Sequence, residues 1–167
     1  PTEDCTGADL TGTDVLPWIG SFTPASFNFN LTGGGCFPPP FGVDAVVCFA
    51  PTSSCSVDFS CAFPSSQRVE VNVRDMGAGG ACTTALGTCV ASTGVDAGAG
   101  NDATSPLSVT SVPLVAGNTY CFICSTSDQT PVVQQTFSIT GSGCGALPVT
   151  LERFEVDDGL AREGSPR

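Results

Sequence analysis

Two cysteines three positions apart, in the run Cys121-Phe122-Ile123-Cys124, have the spacing of a redox dithiol or of half a zinc site. A redox pair of this kind needs a helix N-terminus that lowers a thiolate pKa, and a zinc ribbon needs a second such pair. The sequence offers neither. The run consists of strand-forming residues, and residues three apart on a strand point to opposite faces. We therefore expect two structural disulfides with different partners.

The whole chain contains ten cysteines, an even number that predicts a framework of disulfide bonds formed in an oxidising compartment. Cys55 and Cys61 share a face of one straight strand, too far apart to pair with each other unless the strand turns at Asp58-Phe59. Cys48 is expected to be bonded without an assigned partner. The pairings that spacing suggests are Cys82 with Cys89 across a short loop, Cys5 with Cys36, and Cys144 with Cys121 or Cys124.

Side chains that carry oxygen are the second group of candidates. Asp96, Asn101 and Asp102 lie in a Gly/Ala-rich loop and could ligate calcium, but their spacing matches no EF-hand and loops between strands have this composition anyway. Paired carboxylates could cleave glycosides. Most acids instead alternate with apolar strand residues, as on an exposed sheet face; examples are Asp58, Glu70 and Glu152. We expect no enzyme, no bound metal and no cofactor.

Composition excludes further classes of function. The 167 residues include 16 acidic residues and only 5 basic ones, all arginine, and the net charge is −11. The absence of histidine excludes Ser-His-Asp and Cys-His catalysis, and the absence of lysine excludes Schiff-base chemistry. Without a basic cluster the chain is not expected to bind nucleic acid or an anionic membrane.

The sequence also predicts the cellular location of the protein. No apolar run approaches the roughly 18 residues of a membrane helix, and a first residue Pro1 fits removal of a secretory signal. We expect a secreted, extracellular or cell-surface protein without membrane insertion. Asn30 begins the sequon Asn30-Leu31-Thr32, so we name it as the candidate glycan acceptor.

Short alternating runs of β-branched and aromatic residues, separated by Gly- and Pro-rich turns, predict the fold. Val69, Val71 and Val73 should face a core, while Glu70 and Asn72 face water. We predict an all-β protein, an antiparallel β-sandwich or jelly roll of about eight to ten strands. Residues 1–145 form a single sandwich domain, and residues 146–167 a C-terminal strand and charged tail. The predicted strands are 27–31, 44–50, 55–61, 69–73, 107–112, 119–126, 132–140 and 148–156.

Residues 44–141 resemble a known family in the order of their features. The run DAVVCFAP is followed by RVEVNVRD, GGACTTALGTC, SVPLVAGNTYCFIC and QQTFSITG. This order is similar to bacterial pre-peptidase C-terminal-type domains, in which a Leu-x-Ala-Gly-x-x-Tyr signature, here residues 114–120, precedes a central strand. The resemblance implies a jelly-roll-like, non-catalytic sandwich appended to secreted enzymes or surface proteins. The later run LPVTLERFEV is similar to C-terminal segments of exported bacterial surface proteins.

The C-terminal segment carries the leading functional hypothesis. Its apolar residues make residues 147–156 capable of forming a strand, which follows the Gly-rich run GSGCG. Such a segment either completes its own sheet or adds to the sheet of a neighbour, and the second arrangement propagates into a homopolymer. Three tail arginines suit docking on an acidic neighbour. The expected contact residues are Leu147, Val149, Leu151, Phe154, Val156, Arg153, Arg162 and Arg167.

Two other classes of function remain open. A secreted adhesin or accessory domain that binds carbohydrate or protein would need an exposed aromatic platform, for which the candidates are Trp18, Phe37, Phe41 and Tyr120. A carboxylate hydrolase would need two acids about 5–10 Å apart in a cleft.

Overall fold

The computed structural model describes residues 8–9, 16–22, 36, 43–63, 68–80, 87–96, 105–126 and 134–145. These ranges contain no helix. They therefore contain no helix that is long and apolar enough to cross a membrane. They form nine strands, which are β1 (Ala8–Asp9), β2 (Trp18–Phe22), β3 (Val43–Phe49), β4 (Cys55–Ala62), β5 (Arg68–Ala78), β6 (Thr88–Asp96), β7 (Leu107–Leu114), β8 (Asn118–Thr126) and β9 (Gln135–Ser142).

The strands build two sheets. One sheet has five strands in the order β1-β3-β8-β5-β6, and the other has four in the order β2-β9-β4-β7. Neighbouring strands are antiparallel, apart from the two-residue strand β1, which runs parallel to β3. The prediction of an all-β, antiparallel, disulfide-rich sandwich is confirmed.

The core lies between the two sheets and is centred on aromatic side chains. Phe122 of the five-stranded sheet stacks on Phe49, with ring centroids 5.1 Å apart, and meets the edge of Phe59 of the four-stranded sheet at 5.2 Å. Phe59 in turn meets Phe137 at 5.0 Å. These offset and edge-on contacts are the arrangements that aromatic rings prefer. The predicted alternation therefore places one face of each sheet in a shared core.

The other face of the five-stranded sheet, which we call its outer face, is also buried. Val46, Cys48, Cys121 and Ile123 form a second apolar cluster there. Polar residues of β5 share that burial, with exposed fractions of 0% for Glu70 and Asn72 and 1% for Arg74. The prediction that Glu70 and Asn72 face water is wrong, because alternation shows that two faces differ in polarity but not that the polar face is wet.

The disulfides connect strands differently from the spacing-based pairings. Cys121 and Cys124 bond to different strands, as predicted from their opposite directions on β8. The pairings of Cys82 with Cys89, Cys5 with Cys36 and Cys144 with Cys121 or Cys124 are wrong, because Cys89, Cys36 and Cys144 are bonded elsewhere. Cys5 and Cys82 lie outside the described residues. The observed bonds are Cys36–Cys89, Cys48–Cys121, Cys55–Cys144 and Cys61–Cys124.

Two of these bonds have distinct structural roles. The Cys61–Cys124 bond crosses the core from β4 to β8 and joins the two sheets, with Cα atoms 6.3 Å apart. The Cys48–Cys121 bond joins directly paired residues of β3 and β8 on the buried outer face. Strand β8 is thus covalently linked on both of its faces.

Candidate functional site

Most of the candidate ligands and contact residues lie outside the described residues. These are Asn30, Phe37, Phe41, Asn101, Asp102, Glu152, Leu147, Val149, Leu151, Phe154, Val156, Arg153, Arg162 and Arg167. Asp96 ends β6, and only its backbone is described. In the described part of the chain no group of three or more His, Cys, Asp or Glu side chains is arranged to hold a metal ion.

Asp58 and Glu70, the two described acids expected on exposed sheet faces, are not brought together as a hydrolase would require. Asp58 is exposed on the outward face of the four-stranded sheet, where its Oδ1 accepts a hydrogen bond from the Ser111 N–H at 2.7 Å. Glu70 is buried on the outer face of the five-stranded sheet. Because the whole sandwich separates these faces, the two carboxylates cannot act on one glycosidic bond.

Glu70 belongs to a hydrogen-bonded row along β5. The Asn72 Nδ2 donates to Glu70 Oε1 at 3.1 Å, and the Arg74 Nε donates to Asn72 Oδ1 at 3.3 Å. Burial lowers the pKa of the Arg74 guanidinium, and the negative charge of Glu70 opposes that change. Opposite charges linked through an amide can remain in a buried layer because each compensates the desolvation of the other. The row therefore keeps the two buried charged groups hydrogen-bonded through Asn72.

The Leu-x-Ala-Gly-x-x-Tyr signature forms a corner between β7 and β8. Tyr120 is 1% exposed, and its hydroxyl accepts a hydrogen bond from the Val115 N–H at 2.8 Å. Asp75 accepts a hydrogen bond from Asn118 Nδ2 at 2.9 Å, and Gly117 supplies the positive φ of 82° that the turn needs. Tyr120 is therefore a buried corner residue and not part of an exposed aromatic platform.

The edges of the four-stranded sheet are the described surfaces to consider next, because a strand of another molecule could pair with an edge strand. Strand β7 forms one edge, and its register changes opposite Asp58: Val57 faces Val112, whereas Phe59 faces Val109. Two residues, Thr110 and Ser111, therefore oppose one, which is a β-bulge, and Ser111 has a φ of 55°. Pro113 also lacks the N–H that a further strand would need. The β7 edge is closed to strand addition.

Strand β2 forms the other edge and has neither a bulge nor a proline within its bounds. All five residues pair in register with β9. Trp18 packs half-buried at the margin of the core, over Gly20, where a Cβ atom would collide with the indole ring. Ile19 points to the opposite face and is 70% exposed. Strand β2 therefore presents apolar surface on both faces, next to a regular backbone edge.

The chain leaves the described sandwich at a fixed point. Cys144 is bonded to Cys55, the first residue of β4, and its carbonyl accepts hydrogen bonds from the N–H groups of Thr52 and Ser53 at 3.1 and 3.2 Å. Gly145, with a φ of 72°, follows immediately. The C-terminal segment thus starts beside β4, one strand from the β7 edge and two strands from β2.

The two edges of the five-stranded sheet differ from the β7 and β2 edges of the four-stranded sheet. Strand β1 has only two residues, so it offers little backbone for pairing. Strand β6 carries Cys89, whose bond to Cys36 holds another part of the chain beside this edge. Short strands and covering segments are common ways to protect a sheet edge.

Sequence reasoning missed β1, β2, β6 and the bulge. Gly20 and the brevity of the run Trp-Ile-Gly-Ser-Phe obscure β2, and β6 is rich in small polar residues. The bulge does have a signal in the sequence. The buried residues Val109, Val112 and Leu114 change parity, and only an extra residue lets all three face the core.

No protein-family model matches the chain, and a comparison with curated proteins finds no similar one. The resemblance to pre-peptidase C-terminal-type domains therefore stays a prediction.

Proposed function

We propose that this protein is a non-catalytic structural subunit of an extracellular filament or surface assembly, whose subunits join by addition of the C-terminal strand, residues 147–156, to a neighbour. The observation that carries the proposal is the position of Gly145 beside β4, one strand from the β7 edge, which a bulge and a proline close to pairing. Cys144 fixes the start of the segment next to β4, and the nearest edge is β7.

Strand directions make β7 the natural place for an intramolecular last strand. The segment starts at the end of the sheet where β4 begins, so it would run in the direction of β4 and antiparallel to β7. The bulge at Ser111 and the proline at Pro113 oppose pairing along that edge. A strand-forming segment that cannot pair with its nearest edge exposes unpaired backbone groups until it meets another sheet.

Disulfide content supports the extracellular part of the proposal. Eight described cysteines form four bonds, which is consistent with an oxidising compartment. A subunit outside the cell must stay folded without chaperones or ATP, and covalent links between strands serve that need. Secretion and a cell-surface location accompany this proposal.

Electron microscopy and light scattering of the purified full-length protein test the proposal. We expect polymers from the wild type and monomers from Val149→Asp, which places a charge at an apolar position in the first half of the added strand. The matched control is Val115→Asp, at an exposed valine in the turn after β7. A monomeric wild type, or polymers of Val149→Asp indistinguishable from the wild type, would contradict strand addition.

A further inference from the structure

We propose that the outward backbone edge of β2 is the acceptor site, and that its occupant is residues 147–156 of a second copy of this chain. The inference rests on the proposed function and adds the surface on which the donor segment binds. It identifies Ile19 and the half-buried Trp18 as the apolar contacts of that surface.

Reach argues against the same molecule supplying the occupant. From β4, where Cys144 is fixed, a strand placed beyond β2 lies three strand spacings away, about 14 Å at roughly 4.8 Å each. Two peptide units separate Gly145 from Leu147, and they span about 7.6 Å at most. The start of the segment therefore cannot reach β2 of its own molecule.

Strand direction argues the same way. Strands β2 and β4 are both antiparallel to β9, so they run in the same direction. A segment that leaves from the beginning of β4 would have to pair with its own β2 in parallel. A segment from a second molecule has no such restriction and can pair antiparallel, as all other neighbours in this sheet do.

The apolar pattern of the donor segment matches both faces of β2. Trp18 lies on the core side of the strand and Ile19 on the outward side. In residues 147–156 the apolar positions shift from odd numbers, Val149 and Leu151, to even numbers, Phe154 and Val156. One half of the segment can cover the indole at the core margin, and the other half can cover Ile19.

The outward face around Ile19 makes the site specific. The β9 residues next to β2 on that face are hydroxyl-bearing, and Ser21 Oγ lies 2.8 Å from Thr136 Oγ1. Ile19 is therefore an apolar residue beside a polar sheet surface, and a second strand would remove it from water. Because Trp18 is the single tryptophan of the chain, its fluorescence reports occupation of this edge.

The test uses full-length Ile19→Glu with Val115→Glu as the matched control, since both sites are exposed apolar side chains. Ile19→Glu keeps its donor segment and loses its acceptor, so we expect it alone to remain monomeric. Mixed with wild type it should shorten the filaments, because it adds at one end and stops growth there. Mixed with Val149→Asp, which keeps its acceptor, it should give a one-to-one dimer with a shift in Trp18 fluorescence.

The outcomes separate the two proposals. If the wild type polymerises, Val149→Asp does not, and Ile19→Glu polymerises like Val115→Glu, strand addition stands and the assignment to β2 is overturned. If Ile19→Glu unfolds in urea like Val115→Glu, and so is folded, but neither shortens wild-type filaments nor forms the dimer, that result also overturns the assignment. If the wild type itself never polymerises, the proposed function fails, and the acceptor site fails with it.

Discussion

Removing the hydroxyl of Tyr120 should destabilise the sandwich by a predictable amount. The hydroxyl accepts a hydrogen bond from the Val115 N–H at 2.8 Å and also interacts with the Asp75 and Asn118 side chains. Loss of a buried hydrogen-bonded group costs about 1–3 kcal/mol. Val115 is exposed, and Asp75 keeps a 2.7 Å bond from the Gly77 N–H. The Val115 N–H and the Asp75 carboxylate therefore keep water or another hydrogen-bond partner after the hydroxyl is removed. We expect Tyr120→Phe to lower the free energy of unfolding by about 1–2 kcal/mol.

The same residue gives this prediction a pH dependence. Burial raises the pKa of the Tyr120 hydroxyl, and the negative charge of Asp75 adds to the increase. Because the folded pKa lies above the unfolded value of about 10, the unfolded chain releases its proton first as pH rises. The stability contributed by Tyr120 is thus complete below pH of about 10 and declines above it. The difference between wild type and Tyr120→Phe should shrink over the same range.

Two measurements check this reasoning. Urea unfolding followed by circular dichroism gives the free-energy difference between wild type and variant at neutral and alkaline pH. Tyrosinate absorbance gives the pKa directly, because Tyr120 is the only tyrosine in the chain. The urea-unfolded protein is the internal control. Equal titration midpoints for the folded and unfolded chains, or equal stability of wild type and Tyr120→Phe at neutral pH, would refute the corner described for Tyr120.

Three further changes test other parts of the structure by urea unfolding. Replacing both cysteines of the Cys61–Cys124 bridge by alanine should cost about 3 kcal/mol, because the Cys48–Cys121 bridge already shortens the closed loop to about 16 residues, thirteen from one side and three from the other. A loss near 1 kcal/mol would contradict the topology. Glu70→Gln should cost on the order of 3 kcal/mol because it removes the negative charge that opposes the desolvation of the buried Arg74 guanidinium, and an unchanged midpoint of unfolding would contradict this role of Glu70. Ser111→Val should cost about 1–2 kcal/mol because β-branched residues disfavour a φ of 55°, whereas Ser111→Gly should be tolerated; equal midpoints for the two variants would argue against the bulge.

The fold was predictable where a strand has one apolar face. In β4 the inward residues Val57 and Phe59 are buried and Asp58 is exposed, as alternation requires. The prediction failed at β5, where Glu70 and Asn72 are buried, because a single strand carries no information about what covers its second face. The near-continuous apolar run of β8 was the available signal, since strands buried on both faces lose their alternation.

Neither the disulfide pairing nor the identity of the edge strands was predictable from the sequence, for related reasons. Spacing suggested that Cys89 pairs across a short loop, but its bond to Cys36 depends on which segment passes beside β6. Likewise, Ile19 becomes a candidate contact only once β2 is known to end a sheet. Both depend on strand order, which is set by contacts between residues far apart in the sequence.

The positions of the disulfides have a mechanical consequence for a subunit pulled at its C-terminus. Tension entering at Gly145 passes through Cys144–Cys55 into β4, through Cys61–Cys124 into β8, and through Cys121–Cys48 into β3. Between these bonds the load travels along only two short peptide stretches, residues 55–61 and 121–124. The long loops that the bonds close lie off this path, so their residues cannot unfold to lengthen the chain under tension. Between Gly145 and β3 the load is therefore carried by covalent bonds, whereas a partner strand bound at β2 would pull on the hydrogen-bonded ladder that joins β2 to β9.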